Sequence, residues 1–280
     1  MLQKAIQSSV QLIPWQLRSA VKRIPLLASL QRWILSRFLE GKPFEHVVNA
    51  GPAKGLRALI VLPEDKGIWT GTYELDFVKA LAAAVKHGDV CFDVGGWHGF
   101  CGGVMALNGA SKTVIFEPMP ANCDRIKKLI ELNPKLEINL YQGAVGQTNG
   151  VATFQMLDSD SMGKLESSTF QKEITGTHIM VQVVSLDAYC RENSIPYPKL
   201  IKIDVEGAEL MVLLGASNIL RESTPTLFVE AHSRQLARDV TTLLEQHDYS
   251  VTTFESGRAP DGVSEPEVCH LVGMHRETVR

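Results

Sequence analysis

Between residues 90 and 229 the chain alternates short, β-rich apolar runs with stretches of helical spacing, and few architectures accept that pattern. The runs are residues 90–94, 113–116, 137–141, 200–203 and 226–229. Most of them are apolar along their length, as strands buried on both faces must be. The alternation predicts a parallel, doubly wound α/β sheet. Two further β-rich runs, 249–254 and 269–274, flank a loop and predict an antiparallel finish at one edge. Residues 148–184 are strand-like and polar, an insertion into the basic scheme. Upstream, residues 45–75 read as irregular and strand-like, including Gly67-Ile68-Trp69-Thr70-Gly71-Thr72-Tyr73-Glu74. A helix is predicted over 75–87, closed by Gly88.

Composition narrows the class. A chain of 280 residues, 45 % hydrophobic and 21 % charged, buries a large core, which excludes a disordered or disulfide-stapled chain. A net charge of −3 lacks the basic excess of a general nucleic-acid binder. No run of about 18 apolar residues is present to span a bilayer. No compact apolar run ending in small residues marks a secretory signal. The cysteines (Cys91, Cys101, Cys123, Cys190 and Cys269) are odd in number and form no Cys-x-x-Cys pair. They predict reduced thiols in a cytoplasmic protein rather than a disulfide framework or a zinc cluster.

Charge is unevenly spread. Residues 1–43 hold Lys4, Arg18, Lys22, Arg23, Arg32, Arg37 and Lys42 against Glu40 alone. Trp15, Val21, Ile24, Leu27, Leu30, Ile34 and Phe38 recur there at helical spacing, interrupted by Pro14 and Pro25. This predicts a basic amphipathic helical segment over 1–45, ahead of the α/β domain over 46–280. Such a segment can cap the main domain, pair with a second copy of the chain, or lie on an anionic membrane surface.

The chemistry is concentrated in Val90-Cys91-Phe92-Asp93-Val94-Gly95-Gly96-Trp97-His98-Gly99, a strand running into a glycine-rich turn, with a helix starting near Phe100. Glycines let the backbone turn sharply and approach a ligand closely, and a helix N-terminus offers free N–H groups. Ligands in such sheets bind at the carboxyl ends of the strands. The dinucleotide fingerprint G-x-G-x-x-G fails, because Trp97 or His98 stands where its second glycine is needed, and the Walker lysine is absent. What remains is Asp-x-Gly-x-x-x-Gly. Asp93 would repel a pyrophosphate but suits an ammonium group. Glu117, ending the next strand, suits the two hydroxyls of a ribose. Ammonium and ribose without phosphate describe S-adenosylmethionine.

In these residues, and in others that follow in the same order, the sequence resembles the FkbM-type methyltransferases. The resemblance rests on Gly71-Thr72-Tyr73-Glu74, on Asp93 to Gly99, and on Phe116-Glu117-Pro118. It continues through Gly143-Ala144-Val145-Gly146, Ser185-Leu186-Asp187, and Val229-Glu230-Ala231-His232. Its most specific piece is Ile201-Lys202-Ile203-Asp204-Val205-Glu206-Gly207-Ala208-Glu209. The resemblance implies a class I Rossmann-like fold, with a mostly parallel seven-stranded sheet and helices on both faces. It implies S-adenosylmethionine as methyl donor and O-methylation of sugars or natural products. Asp93, Gly95 and Gly99 would line the methionine end of the cofactor, with Gly96 and Trp97 in the same turn. Glu117, beside Pro118, would hold the ribose, Ala144 would approach the adenine, and Asp204 would lie beside the methionine amino group. His98 stands where such turns often carry asparagine.

An alcohol acceptor must lose a proton, and a positioned base contributes roughly 100- to 10,000-fold. His232 is the best-placed candidate, since neutral imidazole is available near pH 7. Glu206 and Glu230 complete the expected catalytic set. Glu209 reads as a first-turn helix acid, and His87, His178 and His270 are weaker candidates. No metal is expected, because Asp204 and Glu230 alone make a sparse site. Residues 67–74 and 155–180 are candidates to line the acceptor, with Tyr73 and Trp69 as walls, although Trp69 reads equally as packing. The leading expectation is an O-methyltransferase acting on a small-molecule or glycan acceptor, without nucleic acid. The rivals are an N-methyltransferase of the same fold and a non-catalytic cofactor-binding partner subunit.

Overall fold

The computed structural model describes residues 41–156, 163–165, 178–260 and 266–277. The basic segment expected over 1–45 therefore lies, except at its end, outside the described residues, as does most of 155–180. The chain divides into two compact units, residues 1–79 and 80–280. Among the described residues no helix is long and apolar enough to cross a membrane.

In the first unit, β1 (Phe44–Val47) and β2 (Arg57–Ile60) form an antiparallel hairpin with Phe44 opposite Ile60. Burial alternates along β1, with Phe44 and His46 inward and Glu45 and Val47 outward. α1 (Lys66–Thr70) follows, and α2 (Leu75–Ala84) runs across the division into the second unit. The first of these replaces the strand-like run expected at residues 67–70. It closes on Gly71, whose left-handed φ of 70° turns its N–H back onto the Ile68 carbonyl. A helix this short displays no period for a sequence pattern to reveal. Trp69 is buried and meets Phe44 edge-on at 6.3 Å, so it is core and not an acceptor wall. α2 stops at Ala84, short of Gly88.

The second unit begins with β3 (Val90–Val94), α3 (Phe100–Leu107), β4 (Lys112–Glu117), α4 (Pro120–Leu132) and β5 (Ile138–Gln142). The polar insertion supplies β6 (Ala144–Val145), β7 (Gly150–Met156), β8 (Gly163–Leu165) and β9 (His178–Val184). Next come α5 (Leu186–Asn193), β10 (Leu200–Ile203), α6 (Glu209–Leu214), α7 (Ser217–Glu222) and β11 (Thr226–Ala231). α8 (Arg234–Gln246), β12 (Tyr249–Thr253) and β13 (Cys269–His275) complete it. Seven strands form one sheet in the order β12-β13-β11-β10-β3-β4-β5, and the insertion forms a second sheet in the order β6-β9-β7-β8. From β11 to β5 every pairing is parallel, and β13 is antiparallel to both β11 and β12. This is the mostly parallel seven-stranded sheet with an antiparallel finish that the sequence led us to expect.

Both faces of the sheet are covered. Phe92, Val94, Phe116, Ile201, Ile203 and Val229 pack with apolar residues of α5, α6, α7 and α8 in one core. On the opposite face α3 lies directly on β4: a methyl group at Gly102 would come within 2.6 Å of Ile115. This explains why β3 and β10 are buried along their whole length and read as continuous apolar runs. β3 has β4 on one side and β10 on the other, so strand order reverses between them. The crevice at the carboxyl ends of β3 and β10 is the ligand-binding position of such a sheet.

Candidate active site

β3 leads into a turn that only glycine can make. Gly95 has φ 76°, and a Cβ on it would overlap the carbonyl oxygen of Asp204. The N–H groups of Gly95 and Gly96 donate to the Phe116 carbonyl at 3.0 and 3.1 Å, which binds the turn to the end of β4. Asp93 is fully buried. Its Oδ2 accepts from the Gly102 N–H of α3 at 2.7 Å, and its Oδ1 lies 3.4 Å from Lys202 Nζ. Burial pushes the Asp93 carboxyl above its ordinary range, against the pull of Lys202 and the Gly102 N–H. The ammonium that Asp93 meets here is that of Lys202. Lys202 Nζ also donates to the Gly95 carbonyl at 2.8 Å and lies 3.4 Å from Asp204 Oδ2.

Glu117 ends β4 and is buried, 4 % exposed. Its Oε2 accepts from the Trp97 N–H at 2.9 Å, and its Oε1 accepts from the Met119 N–H at 2.9 Å and Asn122 Nδ2 at 3.2 Å. Burial raises its pKa to about 7 even though these donors favour the ionised form. Glu117 therefore organises the glycine turn as well as standing where a ribose acceptor was expected. His98, also buried, stacks on Trp97 with centroids 3.6 Å apart. Its Nε2 accepts from Arg125 Nη1 of α4 at 2.8 Å, since a guanidinium can only donate.

At the ends of β10 and β11 stands a cluster of charge. His232 follows β11, its side chain 7 % exposed, with Nδ1 at 2.8 Å from Glu209 Oε1. Its Nε2 lies 3.4 Å from Glu206 Oε2, 3.7 Å from Asp204 Oδ1 and 3.8 Å from Glu230 Oε1. Burial alone would lower the His232 pKa. The hydrogen bond and charge of Glu209, then the charges of Asp204 and Glu206, outweigh it and raise the value to about 9. The expectation of a neutral imidazole near pH 7 fails for that reason. His232 does not cap α8; the Ser233 hydroxyl does, accepting from the Leu236 N–H at 3.1 Å. Glu230 also faces His270 of β13, Oε2 to Nε2 at 3.5 Å, and His270 Nδ1 lies 2.6 Å from Glu255 Oε1. Burial pushes Glu230 up, but the His270 hydrogen bond and charge, with His232 and Lys202, bring it below its ordinary range.

The structure thus gathers Gly95, Asp204, Glu206, Glu230 and His232 at one strand edge, each partly exposed. Trp97 and Pro118 are partly exposed on the neighbouring turns, whereas Gly96 and Gly99 are buried beneath them. Ala144 is buried in a small apolar cluster with Met119, Phe154, Val181 and Ala208. Asp204, Glu230 and His232 each offer a donor atom, all within 4.8 Å of one another, a spacing that a divalent cation can bridge. Sequence reasoning gave no site role to Lys202 or Glu209 and ranked His270 only as a weaker candidate. Lys202 had a signal, a lysine inside a wholly apolar strand; the other two depend on contacts between elements distant in sequence.

A sequence profile of the Methyltransferase FkbM domain matches residues 87–251. The chain is 27 % identical over 190 residues to the hexuronic acid methyltransferase AglP of Haloferax volcanii, covering 68 % of this chain and 75 % of that one. Among solved structures, methyltransferase FkbM from Methylobacillus flagellatus KT aligns with a TM-score of 0.46 at 18 % identity, over 66 % of this chain and 43 % of its own. Precorrin-6y C5,15-methyltransferase from Geobacter metallireducens aligns with a TM-score of 0.43 at 11 % identity, over 71 % and 87 %. The profile spans more than half of the chain, from just before the glycine turn to beyond His232, and the protein is a methyltransferase of the FkbM family.

Proposed function

We propose that the protein is an S-adenosylmethionine-dependent O-methyltransferase acting on a hydroxyl of a hexuronic acid or a related sugar, free or within a glycan. The observation that carries this reading is the meeting of the Gly95 turn, Asp204 and His232 at the carboxyl edge of β3, β10 and β11. The sugar acceptor is supported by the similarity to the hexuronic acid methyltransferase of Haloferax volcanii. A cytoplasmic setting accords with the five cysteines, all buried and free.

The residues present suit this donor. The Asp204 carbonyl fills the space a Cβ would need at Gly95, so glycine there lets the ends of β3 and β10 close together, and carboxylates at those ends favour a cationic ligand over a phosphate. Asp204, 31 % exposed, is the carboxylate available to an amino group, because Asp93 is closed off by Lys202. Glu117 holds the Trp97 and Met119 N–H groups and so shapes the edge that a ribose would meet, beside Pro118. When bound, S-adenosylmethionine supplies an electrophilic methyl group on a sulfonium. The protein aligns the acceptor oxygen with it, and His232 takes the hydroxyl proton at Nε2. Glu206 and Glu230 accept hydrogen bonds from the acceptor and stabilise the imidazolium that forms.

The test is isothermal calorimetry with S-adenosylhomocysteine, followed by transfer of a labelled methyl group to glucuronic acid and to a glucuronosyl disaccharide. Binding of the nucleoside and an alkali-stable methyl ether are the expected results. An alkali-labile product would be an ester at the uronic carboxylate, where His232 has no proton to take. Absence of nucleoside binding would remove the donor.

A further inference from the structure

Glu209 is fully buried at the start of α6, although a first-turn acid with no other task would face water. The turn before it explains why. Glu206 and Gly207 are consecutive left-handed residues, with φ 54° and 98°. They fold the backbone so that the N–H groups of Val205 and Gly207 donate to Glu209 Oε1, at 3.3 and 3.1 Å. The same oxygen lies 2.8 Å from His232 Nδ1. Two backbone donors fix the carboxylate, and the carboxylate then meets the imidazole. The backbone donors and the imidazole all meet Oε1, whereas Oε2, equally buried, has no hydrogen-bond partner among the described residues, so this costly burial is held by contacts to one oxygen.

An ionised carboxylate only accepts, so Nδ1 must carry a proton in both the neutral and the charged ring. Nε2 is then the nitrogen whose proton comes and goes. That atom faces Glu206, Asp204 and Glu230 on the partly exposed side of the cluster. We infer that Glu209 is the positioning residue of the site: its buried carboxylate fixes the ring and tautomer of His232, so that Nε2 and not Nδ1 is offered to the acceptor. This rests on the reading of His232 as the proton acceptor, and it assigns Glu209 a task that a helix-end acid lacks. Strained backbone at Glu206 is accounted for as well, since without that turn the Val205 and Gly207 donors would not reach one oxygen.

The test is nitrogen-15 NMR of the full chain, labelled at histidine and titrated to pH 10.5. The charges facing His232 are Glu209 from α6, Asp204 and Glu206 from the segment after β10, and Glu230 from β11, which His270 of β13 touches in turn. In the unaltered protein the neutral ring of His232 is expected as the Nδ1–H tautomer. An Nε2–H tautomer there overturns the inference without any variant. In Glu209→Gln the His232 titration is expected to fall by about 1–3 pH units, the effect of removing an adjacent opposite charge. In Glu209→Asp, which keeps the charge but withdraws it from Nδ1, a smaller fall and a mixture of tautomers are expected. Unchanged titration and tautomer in both variants would reduce Glu209 to a structural acid. Calorimetry with S-adenosylhomocysteine on the same samples reports separately on the donor, so a failure to bind the nucleoside leaves the positioning role of Glu209 standing.

Discussion

Lys202 stands directly opposite Asp93 in the β10–β3 ladder, and from there its Nζ reaches Asp93 Oδ1, Asp204 Oδ2 and the Gly95 carbonyl. One buried ammonium thus ties the end of β3 to the end of β10. Removing one partner of a buried pair leaves the other charge uncompensated, which typically costs about 3–5 kcal/mol. Lys202→Met is therefore expected to lower the urea midpoint by that stability, with an unchanged slope. Adding Asp93→Asn should recover part of the loss, because no lone buried charge remains. Additive losses in the double variant would show that the two side chains are not coupled.

Glu117 leads to an opposite prediction about pH from the one its position at a strand end suggests. Its pKa is about 7 in the folded chain against an ordinary 4.5, so between those values the folded state holds a proton that the unfolded state has released. Stability must then fall as pH rises from 4.5 to 7, by roughly 3 kcal/mol for this one group, and level off above. Glu117→Gln should flatten that slope. Glu117→Ala should weaken both the fold and nucleoside affinity, because the Trp97 and Met119 N–H groups lose their acceptor. Thermal unfolding across pH, with calorimetry at one pH, reads both; a slope unaltered by Gln would assign the titration elsewhere.

How much of this was legible in the sequence follows how local each feature is. The strand–turn–helix around Asp93 to Gly99 is local, since apolar continuity, glycines and a helix start lie within ten or so residues. The Asp204 and His232 strand ends were legible for the same reason. α1 was missed because Ile68, Trp69 and Thr70 favour strands, and only the left-handed Gly71 closes them into a turn of helix. The roles of Lys202, Glu209 and His270 were missed because their partners are set by register and packing: Lys202 meets Asp93 only because β10 inserts beside β3. The pKa of His232 is likewise a property of carboxylates at residues 204–209, which the fold brings to the end of β11.

Two glycines with similar backbone conformations should respond very differently to a methyl group. Gly88 has φ 93° with nothing near its missing Cβ, so Gly88→Ala should cost only the left-handed strain, about 1–2 kcal/mol. Gly95 has φ 76° and the Asp204 carbonyl in the way, so Gly95→Ala must push apart the ends of β3 and β10. It should cost about 3 kcal/mol or more, at the upper end of overpacking effects, and abolish nucleoside binding. Urea midpoints of the two variants, measured side by side, check this; equal losses would mean that the strand ends yield easily.

The last prediction concerns turnover and pH. A base at pKa 9 is about 1 % neutral at pH 7, so a reaction that needs the neutral ring should quicken roughly tenfold per pH unit up to about 9 and then level. An unperturbed histidine would level near 6.5 instead. The sign follows from the surroundings: burial favours the neutral ring, but Glu209, Asp204 and Glu206 favour the charged one more. His232→Ala should lower turnover on the hexuronate acceptor by about two to four orders of magnitude and remove the pH dependence, with nucleoside affinity nearly unchanged. Asp204→Asn should instead weaken nucleoside binding. A wild-type profile that is flat from pH 6 to 9 would take the proton transfer away from His232. If a chelator then abolished turnover, the donor atoms of Asp204, Glu230 and His232 would be serving a cation in its place.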